Sequence, residues 1–157
     1  MLLATSSEFA GVLFRATADG DMCRGYEVVF DPRAQRVALR RHGAELATIA
    51  EADARIPVGK SFPMRIQIIG KQVRVSLHGE PLPILDMLDD KPIATAGQIG
   101  MRTWGGSLSL DDLAVTALSG GGGERFVVPS GTADPKRRVL QSLCLLVLNL
   151  NEMIYVD

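Results

Sequence analysis

The chain has 157 residues, of which 46% are hydrophobic and 22% are charged, a composition typical of a folded globular protein rather than a disordered one. Seventeen basic and eighteen acidic residues leave a net charge of −1, which gives no electrostatic basis for binding nucleic acid or an anionic membrane surface. The N-terminal stretch MLLATSSEFAGVLFRA has no positive charge ahead of its apolar residues, so no signal peptide is predicted.

The first half of the chain consists of short segments in which apolar and polar residues alternate. They are EFAGVLFRA, RGYEVVFDP and QRVALRRHG, followed by a turn into a short fourth segment in HGAELATI. In the first, Val12 and Phe14 lie on one face, and Leu13 and Arg15 on the other. A period of two residues predicts a β-strand in each case.

A β-hairpin is predicted next, in FPMRIQIIGKQVRVSLHGEPL. Met64, Ile66 and Ile68 share one face of its first arm, and the second arm alternates in the same way from Val73. Gly70-Lys71 is the turn, because glycine adopts the positive φ that a tight hairpin needs. A second turn is predicted at His78-Gly79.

Two more strands are predicted in GQIGMRTWGG and SLSLDDLAVTAL. In the second, the apolar alternation slips by one residue at Asp111-Asp112, which predicts a β-bulge there. About seven short strands separated by turns predict an all-β fold, an antiparallel sandwich or barrel.

A glycine-rich segment, SGGGGE, separates these strands from the rest of the chain and predicts a linker over 119–132. Asp134 and Pro135 then suit the N-cap and first turn of a helix of about fifteen residues. The apolar run Val139–Leu150 is shorter than the roughly twenty residues of a membrane span, so no span is predicted. We therefore expect a sandwich over 1–118 and a C-terminal helix and tail over 133–157, with the sandwich stable without the latter.

The strand segments AGVLFRA…GYEVVFDP, RIQIIGKQVRVSLHGEPL and GQIGMRTWGGSLSLDDLAVTAL resemble, in that order, the laminin-G/concanavalin A-like jelly roll. The resemblance is to the bacterial branch grouped with 3-keto-disaccharide hydrolase-like domains, and it covers residues 8 to 118. It implies a jelly-roll β-sandwich. Members of this branch carry further strands before the GVLFR position, so the resemblance also implies that the edge beside LSLDDLAVTAL is open.

The tail VLQSLCLLVLNLNEMIYVD resembles the C-terminus of large exported bacterial proteins that combine a c-type haem domain with domains of unknown function. The matching residues are Leu140, Leu143, Cys144, Asn151, Glu152, Tyr155 and Asp157. The resemblance implies a closing helix that packs against a neighbouring domain, or drives self-association if exposed. It implies an exported or periplasmic parent protein and leaves the compartment of this chain open. Without a C-x-x-C-H motif, haem attachment to this chain is excluded.

No motif predicts catalysis. Glycoside hydrolysis needs two carboxylates across one cleft, and the E-x-D-x-E spacing of retaining jelly-roll glycosidases is absent from the sequence. The acidic segment LDMLDDKP (85–92) is interpreted as a solvated loop rather than a calcium site. His42 and His78, both in turns beside glycine, have no cysteine or histidine cluster near them in the sequence. We therefore predict no catalytic residues, no metal site and no cofactor.

The candidate ligand-binding residues are Arg15, Tyr26, Arg102 and Trp104. In the architecture that the resemblance implies, one sheet is concave, and an aromatic side chain flanked by guanidinium groups on it can stack on a sugar and hydrogen-bond to it. The alternative is that Tyr26 and Trp104 are core aromatics, while the two arginines only solvate the sheet.

Three functional hypotheses follow. The first is a non-catalytic module, carbohydrate-binding or interdomain, from a larger exported protein. The second is a glycosidase-like enzyme acting on oxidised (3-keto) disaccharides, which rests on the family resemblance. The third is a truncated fragment without independent function. Aromatic-dependent sugar binding distinguishes the first hypothesis, and paired carboxylates in a cleft the second.

Overall fold

The computed structural model describes residues 2–4, 9–19, 22–95, 97–105, 108–117, 125–127 and 152–156. All the regular secondary structure in these ranges is β-sheet, and none of their residues forms a helix able to cross a membrane. The strands are β1 (Leu2–Ala4), β2 (Ala10–Asp19), β3 (Met22–Asp31), β4 (Arg36–His42), β5 (Leu46–Asp53), β6 (Met64–Ile69), β7 (Gln72–Leu77), β8 (Leu85–Leu88), β9 (Gln98–Thr103), β10 (Leu108–Leu110), β11 (Leu113–Ala117), β12 (Arg125–Val127) and β13 (Glu152–Val156).

The strands form two large antiparallel sheets and a small one. The five-stranded sheet has the order β5-β4-β3-β2-β9, and the six-stranded sheet has the order β12-β11-β13-β6-β7-β8. The pair β1-β10 forms a separate two-stranded sheet. The prediction of an all-β, antiparallel, sandwich-like fold is confirmed.

One hydrophobic core joins the two large sheets, and both contribute every second residue to it. The five-stranded sheet supplies Val12, Phe14, Tyr26, Val28, Phe30, Val37 and Leu39, and the six-stranded sheet supplies Met64, Ile66, Ile68, Val73, Val75, Leu77, Leu85 and Val115. Fully burying one such aliphatic or aromatic side chain contributes about 1.5–3 kcal/mol. The alternation predicted for the first three strands and for the hairpin is therefore confirmed.

The strand register gives the five-stranded sheet two distinct faces. Tyr26 lies opposite Phe14 on β2 and Arg41 on β4, whereas the next residue, Glu27, lies opposite Leu13 and Arg40. We call the face that carries Tyr26 and the core residues the inner face, and the one that carries Glu27 the outer face. Every candidate binding residue can be assigned to one of them.

The turns predicted around the central hairpin are present. Gly70 has φ +59° between β6 and β7, a left-handed conformation that glycine adopts without steric cost. After β7, His78 and Gly79 have φ +59° and +73°, and the Glu80 N–H donates to the Leu77 carbonyl at 3.1 Å.

Two local interpretations are corrected. LDMLDDKP is not a solvated loop, because Leu85–Leu88 form β8 and Asp89 is 2% exposed. At Asp111-Asp112 the chain does more than bulge: β10 pairs with β1, whereas β11 belongs to the six-stranded sheet, and Asp112 has φ +55°. The slip in alternation marked a change of sheet within two residues.

The C-terminal part of the chain contributes strands on both sides of β11. β12 lies within the predicted linker, and β13, in the predicted helix and tail, pairs with both β11 and β6. The edge expected to be open beside LSLDDLAVTAL is thus occupied, and Glu152–Val156 is a strand rather than part of a helix. The predicted helix itself, as far as Leu150, lies outside the described residues, and the division into three segments stays a prediction. Because β13 pairs with strands on both sides in the six-stranded sheet, we no longer expect the sandwich to be stable without residues 133–157.

Candidate functional site

Arg15 lies at an irregularity in β2, and its side chain is buried within the protein. The pairing of β2 shifts register between Phe14 and Thr17 on the β3 side and between Leu13 and Ala16 on the β9 side. Arg15, within both intervals, has φ +48°. The side chain is 3% exposed, and its Nη1 donates to the Ile93 carbonyl at 2.7 Å. Its Nε is buried without a hydrogen-bond partner among the described residues. In this conformation Arg15 holds the loop that contains Ile93.

Tyr26 binds the same loop from the inner face. Its ring, 1% exposed, stacks on Phe14 with a centroid separation of 5.4 Å. Its hydroxyl accepts from the Ile93 N–H at 3.0 Å and donates to Asp89 Oδ2 at 2.6 Å. Arg15 and Tyr26 therefore grip the two backbone groups of one residue, Ile93.

Asp89 is the centre of this arrangement. Besides the Tyr26 hydroxyl, it accepts from the Lys91 N–H at 3.0 Å and forms an ion pair with Arg41. We call Arg15, Tyr26, Arg41 and Asp89 the Asp89 latch, since together they fasten the segment from Asp89 to Ile93 to the five-stranded sheet.

The latch shifts the pKa values of two of its members. Burial, followed by the hydrogen bond to Asp89, raises the pKa of Tyr26 to about 12. Burial alone would raise the pKa of Asp89 as well, but the hydrogen bonds from Tyr26, Lys91 and Arg41 outweigh it and hold that pKa below its ordinary value. The carboxylate is thus ionised and the phenol neutral near pH 7.

The other two predicted residues lie on the outer face, at the end of the sheet formed by β9. Arg102 is opposite Gly11, and the Arg102 guanidinium lies over the Trp104 ring, 4.1 Å from its centroid. The Trp104 backbone N–H donates to the Phe9 carbonyl at 3.0 Å, which continues the strand pairing one residue beyond β2. Phe9 meets Trp104 edge to face at 6.4 Å and is 43% exposed. We call Phe9, Arg102 and Trp104 the aromatic end.

Beside the aromatic end, the outer face carries a buried acid–imidazole pair. Glu27, fully buried, accepts or donates through Oε2 to His42 Nε2 at 2.7 Å, depending on the protonation of the pair. A Cβ on Gly11 would approach Glu27 Cδ to 2.9 Å, so the carboxyl group lies directly over that glycine. Glu27 Oε1 is buried and has no hydrogen-bond partner among the described residues.

Cys23 lies on the same face. Burial, and then the charge of Glu27, raises the pKa of its thiol, against an opposing contribution from Arg102. Glu27 and Arg102, the two charged groups that act on this thiol, lie on the same outer face.

The structure thus divides the four predicted residues between two places. Arg15 and Tyr26 are buried in the latch, whereas Arg102 and Trp104 are adjacent and partly exposed on the outer face. Phe9 was not predicted as a site residue, and Asp89 was considered only as part of the acidic segment LDMLDDKP. His42 was predicted in a turn, although it ends β4 and is 8% exposed. The sequence did carry a signal for Phe9: because Val12 faces the core, strand alternation places Phe9 on the opposite face.

In the described ranges, no group of three or more histidine, cysteine or acidic side chains is placed to hold a metal ion. Glu27 and Asp89, the two buried acids of the described ranges, are bound from opposite faces of the five-stranded sheet.

Comparison with known proteins places the fold and nothing finer. No protein-family model and no curated protein matches the chain. The solved structure of the carbohydrate binding module CBM66 from Bacillus subtilis matches it with a TM-score of 0.55 and 18% sequence identity. The match covers 68% of this chain and 65% of that module, so it spans less than two thirds of the module's length. The chain is accordingly a β-sandwich that is structurally similar to a carbohydrate-binding module.

Proposed function

We propose that this chain is a non-catalytic carbohydrate-binding module with a jelly-roll sandwich, and that it binds sugar at the aromatic end of the outer face. The observation that carries the proposal is the Phe9–Trp104–Arg102 cluster, which presents a partly exposed aromatic surface and a guanidinium side by side. Aromatic rings pack against apolar ring faces, and a few placed donors fix the orientation of a ligand. The structural similarity to a carbohydrate-binding module supports the same function.

Phe9 is the platform on which we expect the sugar to stack. The Trp104 face is already covered by the Arg102 guanidinium at 4.1 Å, whereas Phe9 remains 43% exposed. Trp104 then acts as the support that holds both neighbours, Phe9 by an edge-to-face contact and Arg102 by a cation–π contact. Of the four residues predicted from sequence, we keep Arg102 and Trp104 in the binding site and assign Arg15 and Tyr26 to its scaffold.

The placement of the buried acids favours binding over hydrolysis. A glycosidase needs two carboxyl groups that flank one bond in one cleft. Glu27 is engaged by His42 on the outer face, and Asp89 by Tyr26 and Arg41 from the inner face. The disaccharide-hydrolase resemblance is therefore a weaker guide to activity than to fold.

The setting of the module follows from the two sequence resemblances and belongs to the proposal. An exported bacterial parent protein, with a neighbouring domain or a second copy against the predicted C-terminal helix, is the arrangement they imply. The fragment hypothesis makes the opposite prediction for stability, since a chain without an independent fold lacks a sharp cooperative melt.

A glycan-array screen followed by titration calorimetry tests the proposal. We expect a ligand to emerge, and its affinity to fall about tenfold or more in Phe9→Ala and Trp104→Ala. Leu82→Ala, which removes a side chain that is 78% exposed outside this face, is the matched control and should bind normally. A cooperatively folding protein that binds no glycan, or whose binding survives both aromatic substitutions, contradicts the proposal.

A further inference from the structure

The outer face carries two arginines that form no ion pair with the described residues. Three arginines of the described ranges are paired with acids: Arg36 with Glu51 and Asp53, Arg41 with Asp89, and Arg74 with Asp86. Arg40 and Arg102 form no ion pair or hydrogen bond with any side chain in those ranges. Both are half-buried on the same face.

The position of Arg102 makes its unpaired charge informative. Glu27 is near, since its carboxyl group lies over Gly11, which is directly opposite Arg102. The guanidinium nevertheless lies over Trp104, and the Glu27 carboxyl is engaged by His42. A guanidinium held on an aromatic ring keeps N–H donors for a third group. A ligand that covered the guanidinium without offering an acceptor would leave these N–H donors buried and unpaired, which is costly.

We propose that the saccharide recognised by this module is anionic, and that Arg102 binds its carboxylate or sulfate group. The inference rests on the sugar-binding function proposed above and narrows its ligand class. Arg102 donates two N–H groups to the anion, the geometry in which guanidinium recognises carboxylate and related oxyanions. Phe9 receives the apolar face of the same or the adjoining sugar ring. Arg40, which lies on β4 opposite Glu27, supplies a second positive charge on the same face for a longer saccharide.

The test uses matched pairs of polysaccharides that differ only in charge. One pair is a polyuronate and its carboxyl-reduced form, and the other is a sulfated polysaccharide and its desulfated form. Calorimetric titration of the wild-type chain should give an affinity for one anionic member that is about tenfold or more above that of its neutral counterpart. The pair that shows the preference identifies carboxylate or sulfate, and added salt should weaken the preferred interaction.

Variants assign the preference to Arg102. Arg102→Gln should remove the difference between the charged and neutral members, and Arg102→Lys should retain part of it, because lysine keeps the charge but not the planar pair of donors. Arg33→Gln, at an exposed arginine in the turn between β3 and β4, is the matched control and should leave the preference unchanged. Thermal melts verify that each variant is folded.

Each outcome supports or overturns the inference. Equal binding of charged and neutral members overturns it while leaving the sugar-binding function intact. An anionic preference that persists in Arg102→Gln overturns the assignment to this residue. Absence of binding to every polysaccharide and to every glycan of the array removes the proposed function, and the anionic ligand class with it.

Discussion

The Asp89 latch yields a prediction whose size follows from its geometry. In Asp89→Asn an NH₂ group replaces one carboxylate oxygen. The single remaining oxygen cannot accept from the Tyr26 hydroxyl, the Lys91 N–H and Arg41 together. Removing one partner of a buried ion pair costs about 3–5 kcal/mol. Asp89 is 2% exposed, but the Arg41 side chain is 20% exposed and keeps some contact with water. We therefore expect the lower end, about 3 kcal/mol.

Urea denaturation followed by circular dichroism measures this cost. Asp90→Asn is the matched control, because Asp90 is the adjacent residue and is exposed, and its substitution should change stability by less than about 0.5 kcal/mol. A deficit below about 1 kcal/mol for Asp89→Asn, or one equal to that of the control, refutes the view that Asp89 fastens the loop to the sheet.

The pH dependence of that deficit tests the electrostatic part of the reasoning. The pKa of Asp89 is lower in the folded protein than in the unfolded chain, where a free aspartate titrates at about 3.9. The stabilisation is therefore complete above about pH 4 and is lost as the pH falls through the lower, folded-state pKa. The wild type and Asp89→Asn should converge in acid, and a deficit that is constant from neutral to acid pH contradicts the assignment.

Three further predictions concern the scaffold. Folding raises the pKa of Tyr26 to about 12, so the stability of the protein should fall as pH rises from about 10 to 12. Tyr26→Phe should remove about 2 kcal/mol of that fall, measured by urea denaturation at each pH. An alanine Cβ at Gly97 would lie 2.6 Å from the Ala16 nitrogen, so Gly97→Ala should lower the free energy of unfolding by about 3 kcal/mol. The control Gly70→Ala, in open space at φ +59°, should lower it by about 1 kcal/mol. Equal losses of stability in chemical denaturation would contradict the close packing at Gly97. Deleting Glu152–Val156 removes the strand between β11 and β6 and should abolish the cooperative thermal melt; an unchanged melt would show that β13 is dispensable.

The strand pattern could be read from the sequence because strand parity and burial coincide in the first three strands and the hairpin. Val12 and Phe14 face the core, and Gly70 is where the backbone needs a positive φ. The same rule misled at LDMLDDKP, where three aspartates in eight residues indicate solvent. There, Tyr26 and Arg41, which are distant in sequence, offset the cost of burying the Asp89 carboxylate.

The candidate site was only partly predictable for a related reason. Residue type pointed to Arg15 and Tyr26 as readily as to Arg102 and Trp104, because aromatic and arginine side chains serve core, scaffold and binding surface alike. The face of the sheet and the register shift after Phe14 separate the buried pair from the exposed pair. The bulge in β2 depends on Gly25 and Gly97, because a Cβ atom at either position would collide with the backbone of Arg15 and Ala16. That information is long-range and does not show in local alternation.

Trp104 is the single tryptophan of the chain, so its fluorescence reports directly on the proposed binding face. The measurement that tests the central claim is a titration of tryptophan emission with the glycan that calorimetry identifies. We expect a saturable change in emission with the same dissociation constant as the calorimetric titration. In Phe9→Ala the same titration should show a weaker affinity for the glycan. Calorimetric binding that leaves the emission of Trp104 unchanged would place the ligand elsewhere and contradict a sugar site at the aromatic end.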